Sequence, residues 1–139
     1  MELKDLIGKH ILTGVDLYNK DIKEEYGSGF ESCNCISFVL DDITYTAIED
    51  PEDGYRSCMR EIKVSKYKVK NIFPEVEVLV RDMGDEKYHT HNDALEFIDI
   101  KNGKVILTVG TENTDDYYPY FTSEFVPENM SLNNIIREE

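Results

Sequence analysis

Three thiols and two imidazoles are the side chains of this sequence whose type and spacing could do chemistry together. Cys33-Asn34-Cys35 and His89-Thr90-His91 are both i, i+2 pairs, and Cys58 stands between them. In a strand, alternate residues point to one face, so each pair can present its side chains together. Three thiolates and one imidazole, from His89 or His91, make a tetrahedral donor set of the softness that zinc prefers. Four protein ligands close the coordination shell, so the expected zinc site is structural and not catalytic. A second reading makes Cys33, Cys35 and Cys58 ordinary small core residues. It leaves His89 and His91 on a surface loop among Asp85, Glu86 and Asp93. The one-residue gap between Cys33 and Cys35 is shorter than the usual zinc-motif spacing, and both readings stay open.

Other reactive arrangements find less support. A Cys58–His89 nucleophile pair has no nucleophile elbow or local cysteine signature around it. Neither a Gly-x-Gly-x-x-Gly run nor a P-loop is present, which removes those two phosphate cradles. Glu49, Asp50, Glu52 and Asp53 crowd one turn but lack the ligand order of a calcium-binding loop. Carboxylates are too numerous for any pair to be read as a glycosidase couple. The expectation is therefore a non-enzymatic protein.

The chain has 139 residues, 29 of them acidic and 15 basic, for a net charge of −14. That length suits a single domain spanning residues 1–139. At 40% hydrophobic and 11% aromatic, it has the apolar content to fold despite its charge. The charge argues against direct contact with nucleic acid or with anionic membranes, since both would repel it. It leaves basic protein surfaces, cationic ligands and metal ions. The N-terminus lacks a basic segment followed by an apolar one, and no apolar run approaches the roughly 20 residues of a membrane span. With an odd number of cysteines as well, the expected location is the cytoplasm.

Hydrophobic periodicity of two dominates the chain and predicts a mainly β, antiparallel fold of about seven strands. A twisted sheet, a sandwich or a small barrel with short helices fits this pattern. The alternative is α+β, with a helix over Lys63–Phe73. The clearest early hairpin joins Cys35–Leu40 to Ile43–Ile48 through Asp41-Asp42. It sets Leu40 opposite Ile43, Phe38 opposite Tyr45 and Ile36 opposite Ala47. The strongest local signal is Asn102-Gly103 between Ala94–Ile100 and Lys104–Gly110. A two-residue turn there places Ile100 opposite Val105 and Ile98 opposite Leu107. Further expectations are a helical turn at 2–6, a strand near 10–18 and a loop over 19–30. Strands are expected over 55–64 and 76–80 and near 123–126, with a short helix in the tail from Ser131.

Acidic residues collect on the turns at Glu49–Asp53, Asp82–Glu86 and Glu112–Asp116. Tyr117-Tyr118-Pro119-Tyr120-Phe121 follows the last of these. Tyrosines beside carboxylates suit an interface with Arg and Lys, through cation–π contacts and charge-assisted hydrogen bonds. Candidate partner-binding residues are therefore Glu49, Asp50, Glu52, Asp53, Asp115, Asp116, Tyr117, Tyr118 and Tyr120. The competing reading puts two of the aromatics in the core and exposes the rest.

Several pieces in order resemble an uncharacterised family of small acidic proteins from phages and mobile elements. They are Asp5-Leu6-Ile7-Gly8-Lys9 before a strand, Phe38–Thr46 with its tight turn, and Ser57-Cys58 after an acidic turn. A Leu95–Val109 hairpin and Asp115-Asp116-Tyr117-Tyr118 complete the set. Cys33-Asn34-Cys35 is not part of that family pattern. In size, charge and lack of catalytic motifs, the chain also resembles anti-CRISPR proteins. That resemblance implies an inhibitor that binds a basic surface of a host RNA-guided Cas nuclease and blocks nucleic-acid loading; a structural zinc would be this chain's own addition. The alternatives are a protein that sequesters a small ligand, for which this acidity suits anionic nucleotides poorly, and a structural or accessory protein of a phage.

Overall fold

Alternation decides which side of each strand enters the core. In Val76–Asp82 the valines at 76, 78 and 80 are buried, and Glu77, Leu79 and Arg81 point outward. A computed structural model describes residues 2–23, 29–50, 58–66, 69, 75–84, 93–112 and 120–126. Its strands are β1 (Gly8–Lys23), β2 (Phe30–Leu40), β3 (Ile43–Glu49), β4 (Met59–Val64), β5 (Val76–Asp82), β6 (Asp93–Asp99), β7 (Lys104–Glu112) and β8 (Tyr120–Phe125). A single 3-10 turn, Leu3–Leu6, precedes them. All eight strands form one antiparallel sheet in the order β4-β3-β2-β1-β5-β6-β7-β8. The fold is mainly β, as the periodicity predicts.

The sheet curls back on itself, and β1 is where it bends. Residues Gly8–Leu12 pair with β5, while Leu12–Lys23 pair with β2. Between Leu12 and Gly14 the register slips by one residue at Thr13, a bulge that sharpens twist and turns the strand. β1 thus belongs to both halves of the sheet. Phe38 of β2 and Phe97 of β6 meet edge to face, with ring centroids 5.3 Å apart. Three strand spacings separate β2 from β6, about 14 Å in a flat sheet, so the two rings can meet only across a concave interior. Leu12, Ile36, Val78, Ile106 and Val109 pack in the same core. Leu3 and Leu6 are buried in it too, so the 3-10 turn covers one end. The two outer strands approach each other as well, since β4 touches β8 and the Met59 N–H donates to Thr111 Oγ1 of β7 at 2.7 Å.

The first hairpin has the register its sequence predicts: Leu40↔Ile43, Phe38↔Tyr45 and Ile36↔Ala47. Asp41 and Asp42 have φ of 51° and 67°, the two positive values of a type I′ turn. The Asp41 carboxylate also ties the turn to β1. It accepts from the Ile11 N–H at 2.9 Å and lies 2.6 Å from His10 Nδ1, while His10 Nε2 is 2.8 Å from the Leu6 carbonyl oxygen. The bond from His10, and then that from Ile11, hold the Asp41 carboxyl below its ordinary pKa of 3.8. That part of its stabilisation is present above the ordinary value and is lost as pH falls below it.

The second hairpin departs from expectation. Phe97 lies opposite Leu107, Ile98 opposite Val105 and Asp99 opposite Lys104, with a bulge at Ile106. The connection is a four-residue turn over 100–103, and not a two-residue turn at Asn102-Gly103. Side chains favour the longer loop. Asp99 Oδ1 accepts from the Lys101 N–H and Asn102 Oδ1 from the Lys104 N–H, each at 2.9 Å. Ile100 instead stays with β5, donating its N–H to the Glu77 carbonyl oxygen.

Two further expectations are corrected. Residues 19–23, read as loop, continue β1 opposite Phe30–Asn34, because a polar ladder pairs through its backbone as readily as an apolar one. Lys63 and Val64 lie in β4, so no helix begins at Lys63. Residues 70–74 and the tail from Ser131 lie outside the described residues.

Candidate functional site

Cys33 and Cys35 do share a face of β2, and it is the convex face opposite Ile36 and Phe38. Both are only 2% exposed, because side chains from the flanking strands cover them. Lys20 of β1 lies opposite Cys33, while Tyr18 of β1 and Ile48 of β3 lie opposite Cys35. Ser37, next on that face, bonds to Tyr18 Oη at 3.1 Å and to Thr46 Oγ1 at 2.9 Å. The convex side of β1–β3 therefore carries a thin polar layer of its own.

The environment of these thiols keeps them protonated. Burial, then the charge of Glu49, the neighbouring Cys35, and the charges of Glu31 and Asp50 push the Cys33 thiol up to about 11. Burial also raises Cys35, against the opposing charges of Lys20 and Lys63. Cys33 Sγ donates to the Glu31 carbonyl oxygen at 3.5 Å, and Cys35 Sγ to that of Cys33 at 3.8 Å. Cys58 is half-buried, with its Sγ 3.9 Å from Asp50 Oδ2. Metal binding requires the thiolate, which these surroundings disfavour at Cys33 and Cys35. Among the described residues no three His, Cys, Asp or Glu side chains are placed to hold a metal ion. His89 and His91 lie outside the described residues.

A graded thiol reactivity follows. Iodoacetamide at pH 8 is expected to label Cys58 on the folded protein and to leave Cys33 and Cys35 unlabelled, as read by peptide mass. The Cys33 contribution to stability runs the same way: it is intact below the ordinary value of 9.0 and is lost as pH rises towards about 11.

Of the acidic candidates, Glu49 and Asp50 are described, and they lie at one rim of the sheet. The Glu49 Oε1 accepts from the Asn34 N–H at 2.9 Å, and the Asp50 N–H donates to the Cys58 carbonyl oxygen at 2.8 Å. Glu31, Glu49 and Asp50 all act on Cys33, which places them around one thiol. Met59, the residue after Cys58, donates its N–H to Thr111 Oγ1. Thr111 in turn lies opposite Asp93 of β6 and Phe121 of β8, and the next pair along is Glu112–Tyr120. Thr111 is therefore a meeting point for the described ends of three acidic connections: Asp50 and Cys58, Asp93, and Glu112 and Tyr120. A cleft of about 470 Å³ opens beside it, lined by Glu2, Met59, Arg60, Glu61 and Asp93 among others.

Of the aromatic run, Phe121 is buried in the core and Tyr120 is half-buried at the rim. Glu52, Asp53, Asp115, Asp116, Tyr117 and Tyr118 lie outside the described residues. Asp93 and Glu31 are rim residues that the sequence did not single out as partner-binding. Their one signal was position, since each stands at or next to the first residue of a strand.

The chain matches no protein-family model, no curated protein and no solved structure.

Proposed function

We propose that this protein is a non-catalytic inhibitor that docks its acidic rim on a basic surface of another protein and so keeps nucleic acid off that surface. In its specific form the partner is an RNA-guided Cas nuclease, and the blocked step is nucleic-acid loading. The observation that carries the reading is the convergence at Thr111. Asp50, Asp93 and Glu112, drawn from separate parts of the sequence, lie around one side chain and its strand neighbours. A concentrated negative field raises the encounter rate with a positive channel and fixes the docking orientation. The adjoining cleft is polar and mixed in charge, with Glu2, Glu61 and Asp93 beside Lys4 and Arg60 in its wall.

The test is inhibition of guide and target loading by a Cas nuclease, measured between about 50 and 300 mM salt. Inhibition is expected to weaken steeply with salt. Combining Asp50→Asn, Asp93→Asn and Glu112→Gln is expected to slow association by roughly tenfold or more while leaving the circular dichroism of the sheet intact. Salt-insensitive inhibition, or a triple variant of undiminished potency, would sink the proposal.

A further inference from the structure

The net charge conceals a local reversal on the convex face. An open groove of about 590 Å³ runs across β1–β4, and its walls include Tyr18, Lys20, Ile48, Lys63, Val64 and Lys66. Pairing explains how these residues meet. Lys20 follows Tyr18 by two along β1, and Tyr18, Cys35 and Ile48 form one cross-strand row. Lys63 of β4 lies opposite Thr46, two residues before Ile48 on the same face of β3. Lysines thus flank an apolar and aromatic floor from both sides.

In a chain with nearly two acidic residues for each basic one, lysines ordinarily find carboxylates nearby. None of Lys20, Lys63 and Lys66 forms an ion pair with another described residue. Three exposed ammonium groups that pair with no described carboxylate, although Glu61 lies two residues before Lys63 on the same face, surround a concavity of small-molecule size and suit an anion. Lysine suits phosphate as a mobile point charge, and the floor supplies a surface for a flat ring. The bond from Tyr18 Oη to Ser37 Oγ holds the tyrosine ring in place as one wall.

We propose that this groove binds a small aromatic phosphate, its phosphoryl group held by Lys63 and Lys66 and its ring lying against Tyr18 beside Ile48. The groove adjoins Cys33, around which Glu31, Glu49 and Asp50 of the rim gather, but its lysines and not those carboxylates would hold the ligand.

The experiment is titration of the whole isotopically labelled protein with adenosine monophosphate, flavin mononucleotide and pyridoxal phosphate, followed by amide chemical shifts. At least one is expected to give saturable shifts at Tyr18, Lys20, Ile48 and Lys63. The corresponding dephosphorylated compound should bind roughly tenfold more weakly. Lys63→Gln combined with Lys66→Gln should weaken the phosphate by about the same factor without moving the melting temperature. Three results would overturn the proposal: no saturable shift with any of the three at millimolar concentration, equal binding by the double variant, or salt-sensitive self-association that the double variant abolishes. The last would assign the lysines to the acidic rim of a second copy.

Discussion

Gly110→Ala is expected to be the most damaging small substitution in the protein. Gly110 sits in β7 with φ of +138°, a conformation that L side chains rarely adopt. A Cβ there would lie 2.3 Å from the Asp93 carbonyl oxygen and 2.5 Å from the Ala94 Cα. Both are backbone atoms of the neighbouring strand, so no rotamer change can relieve the clash. β6 would have to move away from β7 at the point where Asp93 faces Thr111. A loss of about 3 kcal/mol or more is expected, a large share of a typical domain's stability. By contrast Gly103, with φ of +72° and nothing within 4 Å of an added Cβ, isolates the backbone preference alone. Gly103→Ala should cost about 1 kcal/mol. Thermal melts of the two variants compare the effects directly. Gly110→Ala melting within a degree or two of Gly103→Ala would show that β6 and β7 do not approach so closely. Because Gly110 adjoins the rim, the same variant should weaken partner binding more than its loss of stability explains.

Phe38→Ala should cost about 3–5 kcal/mol, the usual range for truncating a fully buried phenylalanine. Phe38 has no exposed surface and touches aromatic rings on two sides, stacking on Tyr45 at 5.8 Å and meeting Phe97 at 5.3 Å. The pair with Phe97 matters most for the architecture, since it joins the β1–β4 half of the sheet to the β5–β8 half. A double-mutant cycle on Phe38 and Phe97, read by chemical denaturation, is expected to show coupling of about 0.5–1.5 kcal/mol. Strict additivity would mean that the rings do not meet and that the sheet is less curled than described. Since curling also brings Met59 to Thr111, the cycle tests the physical basis of the acidic rim.

The strained glycine and the ring pair show where sequence reasoning ends. Gly110 carries no turn signal, because the demand for a missing Cβ comes from Asp93 and Ala94, sixteen and more residues earlier in the chain. Asn102-Gly103 is a strong turn signal, yet the side chains of Asp99 and Asn102 and the hold of β5 on Ile100 select a longer loop. Local preference there loses to hydrogen bonds it cannot anticipate. The thiols repeat the lesson. Cys33-Asn34-Cys35 correctly placed two side chains on one face, but spacing says nothing of their burial, or of the carboxylates near Cys33, which favour the thiol over the thiolate.

The sequence by itself determined the antiparallel β character and the register, with its apolar face, of the Asp41-Asp42 hairpin. Those depend on alternation and on two consecutive backbone conformations, which neighbouring residues control. It also determined the total charge, but not its confinement to turns: Asp16, Asp21, Glu31, Glu61, Glu77, Glu96 and Glu124 all lie within strands. Only the tertiary structure decided how that charge is distributed. The bulge at Thr13 bends β1, the curl carries Met59 to Thr111, and residues distant in the chain become one acidic rim. The same packing sets Lys20 and Lys63 around a groove of opposite sign. Charge adds along a sequence irrespective of order, whereas a field depends on distance, and distances between separate strands exist only once the sheet has closed on its core.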